Sequence, residues 1–508
     1  MSGRLPVTRA LVSVWDKTGV VELCRRLAGA GVELVSSGGT ADALEADGLP
    51  VIRVAEVTGA PEMLGGRVKT LHPMIHGALL ADLDDPAHRN DLENRGIEPI
   101  QLVISNLYPF AATVADPEVT VAAAIEKIDI GGPTMVRAAA KNHAHVAVVT
   151  SPRQYDEVAD AVEAGGLTLE QRRDLARAAF FATAGYDAAI VAWMNRDQDL
   201  PSEMVLPFEL YDGLRYGENP HQPAAVYRLS GRAPWWAIAE YLQGKAMSFN
   251  NYADAEAAWS LVSAIEGPAA VVVKHTNPCG VGTGDTAAAA FEAAWDCDPL
   301  SAFGGIVAVN RVVDEPTAAL IARNFTEVVI APGFDQDARD LLAAKASLRL
   351  IVATAPAGRD LDLRRLEDGM LAQTRDSIVE EEWRVVTKAQ PSSDQMRDLR
   401  LAWVVAAHTK SNAVVVVTDG AAVGVGAGDQ SRVGAAERAV VKAGKRAEGG
   451  VAASDAFFPF RDGFDVLADA GVRVVVQPGG SKRDDEVIAA ADERNVAMVF
   501  TGHRHFRH

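Results

Sequence analysis

Cysteine is nearly absent: 508 residues hold three, Cys24, Cys279 and Cys297, far apart along the chain. That is too few to staple a fold, and the usage fits a reducing compartment in which these residues serve as small buried hydrophobes. Long apolar runs are missing as well. None reaches the roughly 18 residues that cross a bilayer, and the opening Met1-Ser2-Gly3-Arg4-Leu5-Pro6 lacks the apolar stretch of a signal peptide, so a cytoplasmic protein is expected. Positive charge is in short supply. Against 68 acidic residues stand 49 Lys and Arg, and the net charge of −19 repels a polyanion, which argues against a nucleic-acid partner. A small anion is a different matter, because it needs only a few cations gathered in one cleft. Short-period repeats and low-complexity tracts are also lacking.

What is present is ordinary globular composition, 48% hydrophobic and 23% charged. A chain of this length exceeds one hydrophobic core and implies roughly two to four domains. Ala10 to Val14, Val32 to Ser36, Leu102 to Ser105 and Val146 to Thr150 are β-branched runs separated by helical patterns, the mark of βαβ units and a parallel sheet. A helical pattern from Thr168 to Asn195 is followed by the Pro- and acid-bearing segment Asp197 to Pro207. We place the boundary there, giving domains 1–200 and 201–508. The second has its own strands, at Ala269 to Val273, Gly305 to Val309, Val328 to Ala331, Ala413 to Thr418 and Val472 to Gln477, and is expected to form two subdomains.

Several loops carry dense polar chemistry. Ser36-Ser37-Gly38-Gly39-Thr40 follows a strand and opens a helix, so its backbone N–H groups could receive a phosphate; a tight turn with a Ser or Thr N-cap reads the same way. Gly65-Gly66-Arg67-Val68-Lys69-Thr70-Leu71-His72-Pro73 sets two cations in a loop of an acidic chain, which is either an anion site or a solvated loop. In Ile128-Asp129-Ile130-Gly131-Gly132-Pro133 a carboxylate precedes a helix start, and Arg137 and Lys141 then fall four apart on one face, a basic surface or a site.

Further on, Arg215-Tyr216-Gly217-Glu218-Asn219-Pro220-His221 packs cation, ring, amide and imidazole onto one loop. The apolar run Val271-Val272-Val273 delivers Lys274-His275-Thr276-Asn277-Pro278-Cys279 at its end; a Lys–His pair there is a plausible acid/base couple, and a satisfied histidine is the alternative. Zinc-deaminase chemistry is disfavoured, since position 282 is Gly where Pro-Cys-x-x-Cys needs a thiolate and no His-x-Glu precedes the loop.

The Lys69 loop, Asn106-Leu107-Tyr108-Pro109-Phe110 and the stretch from Asp129 to Asn142 together resemble an IMP cyclohydrolase domain. Asp298 to Gly305, Lys410-Ser411-Asn412-Ala413, Gly424 to Arg432 and Ala453 to Phe460 resemble an AICAR formyltransferase domain. The chain is thus similar, from about Arg9 to His508, to the bifunctional family that joins the two.

This resemblance implies an α/β fold, with an N-terminal methylglyoxal-synthase-like parallel sheet and a C-terminal deaminase-like formyltransferase region without zinc. In the first domain it implies a phosphate and ribose cradle of Ser13, Lys17, Thr18, Ser37, Gly38 and Thr40, with Arg67, Lys69 and Thr70 beside it, and Tyr108, Asp129 and Lys141 around the condensing groups. In the second it implies His275 as base on the 5-amino group and Lys274 stabilising the tetrahedral species. Arg215, Tyr216, His221, Asn277, Asn412 and Arg432 would hold the nucleotide, and Phe303, Gly304, Glu327 and Phe457 would lie along the folate. The implied co-substrate is 10-formyltetrahydrofolate, the products FAICAR and then IMP, and the assembly a homodimer. Some members hold potassium near the positions matching Asp455 and His508; Ala413 stands where that site has a serine, and no metal is expected here. A rival reading, a metabolite sensor, would keep the phosphate loops without the acid/base residues, and these are present.

Overall fold

The computed structural model describes residues 3–356, 361–378 and 383–508. It divides into two compact units: one runs to Phe208 and includes Leu229–Gly231, and the other holds Glu209–Arg228 and Arg232–His508.

The first unit is built on five parallel strands in the order Val51–Arg53, Glu33–Ser36, Arg9–Val12, Leu102–Ile104, Ala147–Val149. Both faces are covered, which is why Leu102–Ile104 and Ala147–Val149 are continuous apolar runs. Ala10, Val12, Leu34 and Ile104 meet helices Val20–Gly29 and Tyr155–Glu163 on one side. Leu11, Val35, Val103 and Val148 meet helices Pro73–Leu80, Gly131–Lys141 and Leu169–Met194 on the other. The chain adds strands outward from Arg9–Val12 in one direction, then returns to add Leu102–Ile104 on its other side. At that reversal the connections diverge and leave a crevice at the strands' carboxyl ends.

Leu169–Met194 is 26 residues long and apolar enough in composition to suit a bilayer. In this unit it is a packing helix. Its buried Arg172 donates to the carbonyls of His143, Ala144 and Leu167, and Phe110 packs edge-on against its Tyr186 and Trp193.

The second unit carries a twelve-stranded mixed sheet made of two similar halves. In the first, hairpin Ala269–Lys274/Asn277–Thr283 is followed by Ile306–Val309, antiparallel to the hairpin, then by Val328–Ala331 and Arg349–Val352 in parallel. In the second, hairpin Val414–Thr418/Ala421–Gly426 is followed by Val451–Ser454, antiparallel, then by Val474–Gln477 and Ala497–Phe500 in parallel. The halves meet where Gly282 pairs with Ala421. Each hairpin presses glycines onto the following helix. A Cβ on Gly280 would lie 1.9 Å from the Ala294 carbonyl oxygen, and one on Gly426 equally close to that of Ala435. The duplication is one of backbone, with a period too long and side chains too diverged for a sequence scan to show.

Candidate active sites

A cavity of about 660 Å³ opens at the crevice of the first unit. Ser13, Ser37 and Ser105 lead into it, each directly after a strand. Of the residues singled out in sequence, Ser13, Lys17, Ser37, Gly38, Thr40, Arg67, Lys69, Thr70, Tyr108 and Asp129 line it.

The loops are fixed by backbone bonds. Buried Thr40 accepts from the Val14 N–H at 3.1 Å and donates to the Val14 carbonyl at 2.9 Å, so its hydroxyl shapes the wall and has no proton left for a ligand. Asn106 accepts from the N–H groups of Trp15 and Asp16 at 2.7 and 2.9 Å and donates to the Asp16 carbonyl. Gly38, at φ 52°, starts helix Gly38–Ala46, whose first N–H groups face the cavity mouth. A Cβ there would meet Lys69 Nζ at 2.8 Å.

The two cations are already paired, Lys69 with Glu62 at 3.3 Å and Arg67 with Glu126. An anionic ligand must therefore exchange with these carboxylates. Asp129 is largely enclosed; burial pushes its carboxyl up from the usual range, opposed by N–H bonds from Gly132 and Tyr108. Its Oδ1 accepts from Gly132 N–H at 2.9 Å, and only glycine fits there, since a Cβ would stand 2.5 Å from Asp129 Oδ2. Tyr108 is 43% exposed, with Lys127 Nζ 6.0 Å from its ring centre.

Two expected residues stand elsewhere. Thr18 is exposed and its N–H is held by Asp16, outside the lining. Lys141 is the exposed last residue of helix Gly131–Lys141, of which Gly131, Gly132 and Met135 line the cavity. At 1.5 Å rise per residue its backbone lies about 9 Å along the helix axis beyond Met135. Glu62, Glu126 and Tyr186 are the contributors that sequence reasoning missed.

In the second unit the Lys274 to Asn277 segment is the turn of the first hairpin. Lys274 Nζ donates to the Phe303 carbonyl at 2.8 Å. His275 is exposed, and both it and Thr276 have positive φ, 53° and 62°. Asn277 accepts from the Lys410 N–H at 3.0 Å, and Asn412 donates to the Asp429 carbonyl at 2.9 Å. The turn of one half thus lies against the 410–412 loop of the other. Phe303 is 60% exposed and stacks on Phe325 at 5.1 Å; Gly304, at φ 74°, donates its N–H to the Phe325 carbonyl. Phe457 is half-buried, two positions beyond Asp455.

Other expected residues have partners within the protein. Arg432 is buried and bonded inside the protein to Asp455, to the Ala413 carbonyl at 3.2 Å and to Asn412 Oδ1 at 2.8 Å, while its Nε has no partner among the described residues. Glu327 is held by Arg349 at 2.9 Å and is only partly exposed. Arg215, Tyr216 and His221 sit on the loop of hairpin Phe208–Leu214/Ala224–Leu229, with Arg215 5.5 Å from the Tyr216 ring centre.

At the potassium position implied near Asp455, the buried Asp455 Oδ2 has no hydrogen-bond partner among the described residues. The guanidinium of Arg432 already balances the Asp455 charge, and His505 N–H takes the Asp455 carbonyl. Among the described residues, Asp82, Asp84 and His145 bring three possible metal ligands within 4.8 Å, and none of them lines the cavity.

The chain matches the family model described as AICARFT/IMPCHase bienzyme over residues 139–442 and that described as MGS-like domain over 19–134. Among solved structures, one titled "Crystal structure of ForH" is 35% identical over 37% of this chain and 99% of that chain, with a TM-score of 0.34.

Proposed function

This chain belongs to the AICARFT/IMPCHase bienzyme family, whose members carry out the last two steps of IMP biosynthesis, and we propose how its two units divide that work. The enzyme is a bifunctional formyltransferase and IMP cyclohydrolase that uses formyl-folate as co-substrate.

Formyl transfer is assigned to the second unit. The 5-amino nitrogen of AICAR attacks the formyl carbon of 10-formyltetrahydrofolate, the bond to N10 breaks, and N10 leaves with a proton as tetrahydrofolate. His275 takes the proton lost by the amine, and Lys274 supports the oxyanion of the tetrahedral species. The observation that carries this reading is the exposed imidazole on a tight turn directly after Lys274, whose ammonium is aimed at Phe303, itself exposed and free to lie along a flat co-substrate. Asn277 and Asn412 stand beside it, and their amides would exchange bonds to the protein for bonds to the nucleotide.

Cyclisation is assigned to the cavity of the first unit. The carboxamide nitrogen attacks the formamide carbon, the ring closes, and the formyl oxygen departs as water. Ser13, Ser37, Gly38 and the cations Lys17, Arg67 and Lys69 would hold the phosphate and ribose. Asp129, with its raised affinity for a proton, suits proton transfer on the nitrogen, and Tyr108 with Lys69 suits polarisation of the oxygen. Lys141, at the end of the helix whose start lines the cavity, would join them around the condensing groups.

We further infer a cytoplasmic homodimer whose catalysis requires no transition metal. The family resemblance and the half-exposed Leu210, Tyr227 and Phe208 of the two-stranded hairpin support the dimer. An absorbance assay with AICAR and 10-formyltetrahydrofolate, following tetrahydrofolate and IMP separately, tests both assignments. Formation of tetrahydrofolate by a His275→Ala variant at the parent rate would remove His275 from the mechanism.

A further inference from the structure

The turn that presents His275 is unfavourable for its own residues. Two central positions with positive φ are the pattern of a two-residue hairpin turn in which Asn-Gly or Asp-Gly is preferred. Here they are His275 and Thr276, and a β-branched residue in the left-handed region is a genuine outlier. What holds them is Asp254, on helix Phe249–Ser263. Its Oδ1 accepts from the Thr276 N–H at 2.6 Å and its Oδ2 from the His275 N–H at 3.3 Å.

The second half of the unit provides an internal comparison. There Asp398, on helix Ser393–Ala407, accepts from the Gly420 N–H at 2.9 Å and also receives the Asp419 N–H. Asp419 and Gly420 have φ of 51° and 74° and occupy the matching hairpin turn. Both aspartates precede their turns by the same 21 positions. The fold therefore builds the same carboxylate clamp twice. In the second half it closes on Asp-Gly, a pair that adopts the turn unaided. In the first it closes on the pair that carries the imidazole.

We propose that Asp254 is a positioning residue for formyl transfer, its two charge-assisted bonds fixing the His275 backbone in a conformation that His-Thr would otherwise leave. The inference rests on the reading of His275 as the base.

The test uses the full chain and four variants: Asp254→Asn, Thr276→Gly, the double variant and His275→Ala. An asparagine can accept only one of the two N–H groups and turns an NH₂ toward the other. Asp254→Asn is expected to lower kcat of formyl transfer about 10- to 100-fold, the range a misplacement of about 1 Å produces, with KM for AICAR changed less and cyclisation of supplied FAICAR untouched. Thr276→Gly, which copies the second half's turn, should recover most of that kcat in the double variant relative to Thr276→Gly alone. For a purely structural aspartate, Asp254→Asn would lower the melting temperature and leave kcat per folded enzyme at the parent value. Formyl transfer within about twofold of the parent in Asp254→Asn, with His275→Ala still depressed, overturns this inference and spares the reading of the base. A lack of recovery in the double variant also overturns it. A parent-level rate in His275→Ala would sink the reading of the base itself.

Discussion

The backbone N–H of Asp129 donates to the hydroxyl of Tyr186 at 2.7 Å, and that hydroxyl donates in turn to the carbonyl of Lys127 at 3.1 Å. A side chain on the long helix thereby sets the loop that carries the buried carboxylate. Tyr186→Phe keeps the ring and its edge contact with Phe110 and loses both bonds, each worth about 0.5–1.5 kcal/mol. Cyclisation of supplied FAICAR should fall by about tenfold, the equivalent of about 1.4 kcal/mol at the transition state, while formyl transfer holds. Parent-level cyclisation would show that the loop is fixed by Gly132 and Tyr108 alone.

Asp129 itself links activity to pH. Burial raises its carboxyl above the unfolded value, so its contribution to stability is complete below the unfolded value of about 3.9 and is lost as pH rises through the folded value. As pH rises, ionising this carboxyl therefore costs the native state more than the unfolded chain. Asp129→Asn should raise the melting temperature of the first unit at pH 7, and the gain should shrink toward pH 4. Cyclisation should fall roughly 10²- to 10⁴-fold, the usual loss for an acid/base group. A variant that melts lower than the parent at pH 7 would mean the charged form is compensated by its N–H donors.

Arg432 and Asp455 form a buried pair, exposed 8% and 0% respectively. Truncating one partner of such a pair leaves an unbalanced buried charge, at a cost of about 3–5 kcal/mol. Arg432→Ala should shift the urea midpoint of the second unit sharply and leave that of the first unit in place. If stability were unchanged and only AICAR binding weakened, the nucleotide role implied by resemblance would return.

Dialysis of the full chain against a strong chelator should leave both activities intact, because the acid/base groups assigned here need no Lewis acid. Loss of either activity, restored by zinc or another divalent ion, would bring the Asp82, Asp84 and His145 group under suspicion as a structural site.

Several of these features are written locally and can be read without coordinates. Alternating β-branched runs and helical patterns announce the parallel sheet of the first unit, because strand and helix periodicities depend on near neighbours. The loops bearing Ser37, Lys69, Tyr108 and Asp129 stand out because glycine and proline keep them irregular and their polar side chains would be wasted in a core. Lys274-His275 is legible for the same reason: an apolar strand stops at a cation. Long-range pairing decides the rest. Lys141 follows Asp129 by twelve positions in sequence, and the helix between them decides how far its backbone stands from the cavity. Thr40 looked like a ligand donor and is used up on Val14. Arg432, on a glycine-rich run, turns inward because a buried Asp455 requires a cation, and that aspartate lies 23 positions away. Tyr186 and Asp254 gave no local sign at all, each an ordinary residue on a helix. Composition and periodicity determine which segments become strands, helices and reactive loops; which polar atom meets which is set only when the sheets bring distant segments within hydrogen-bond range, since those bonds form over about 3 Å and are blind to distance along the chain.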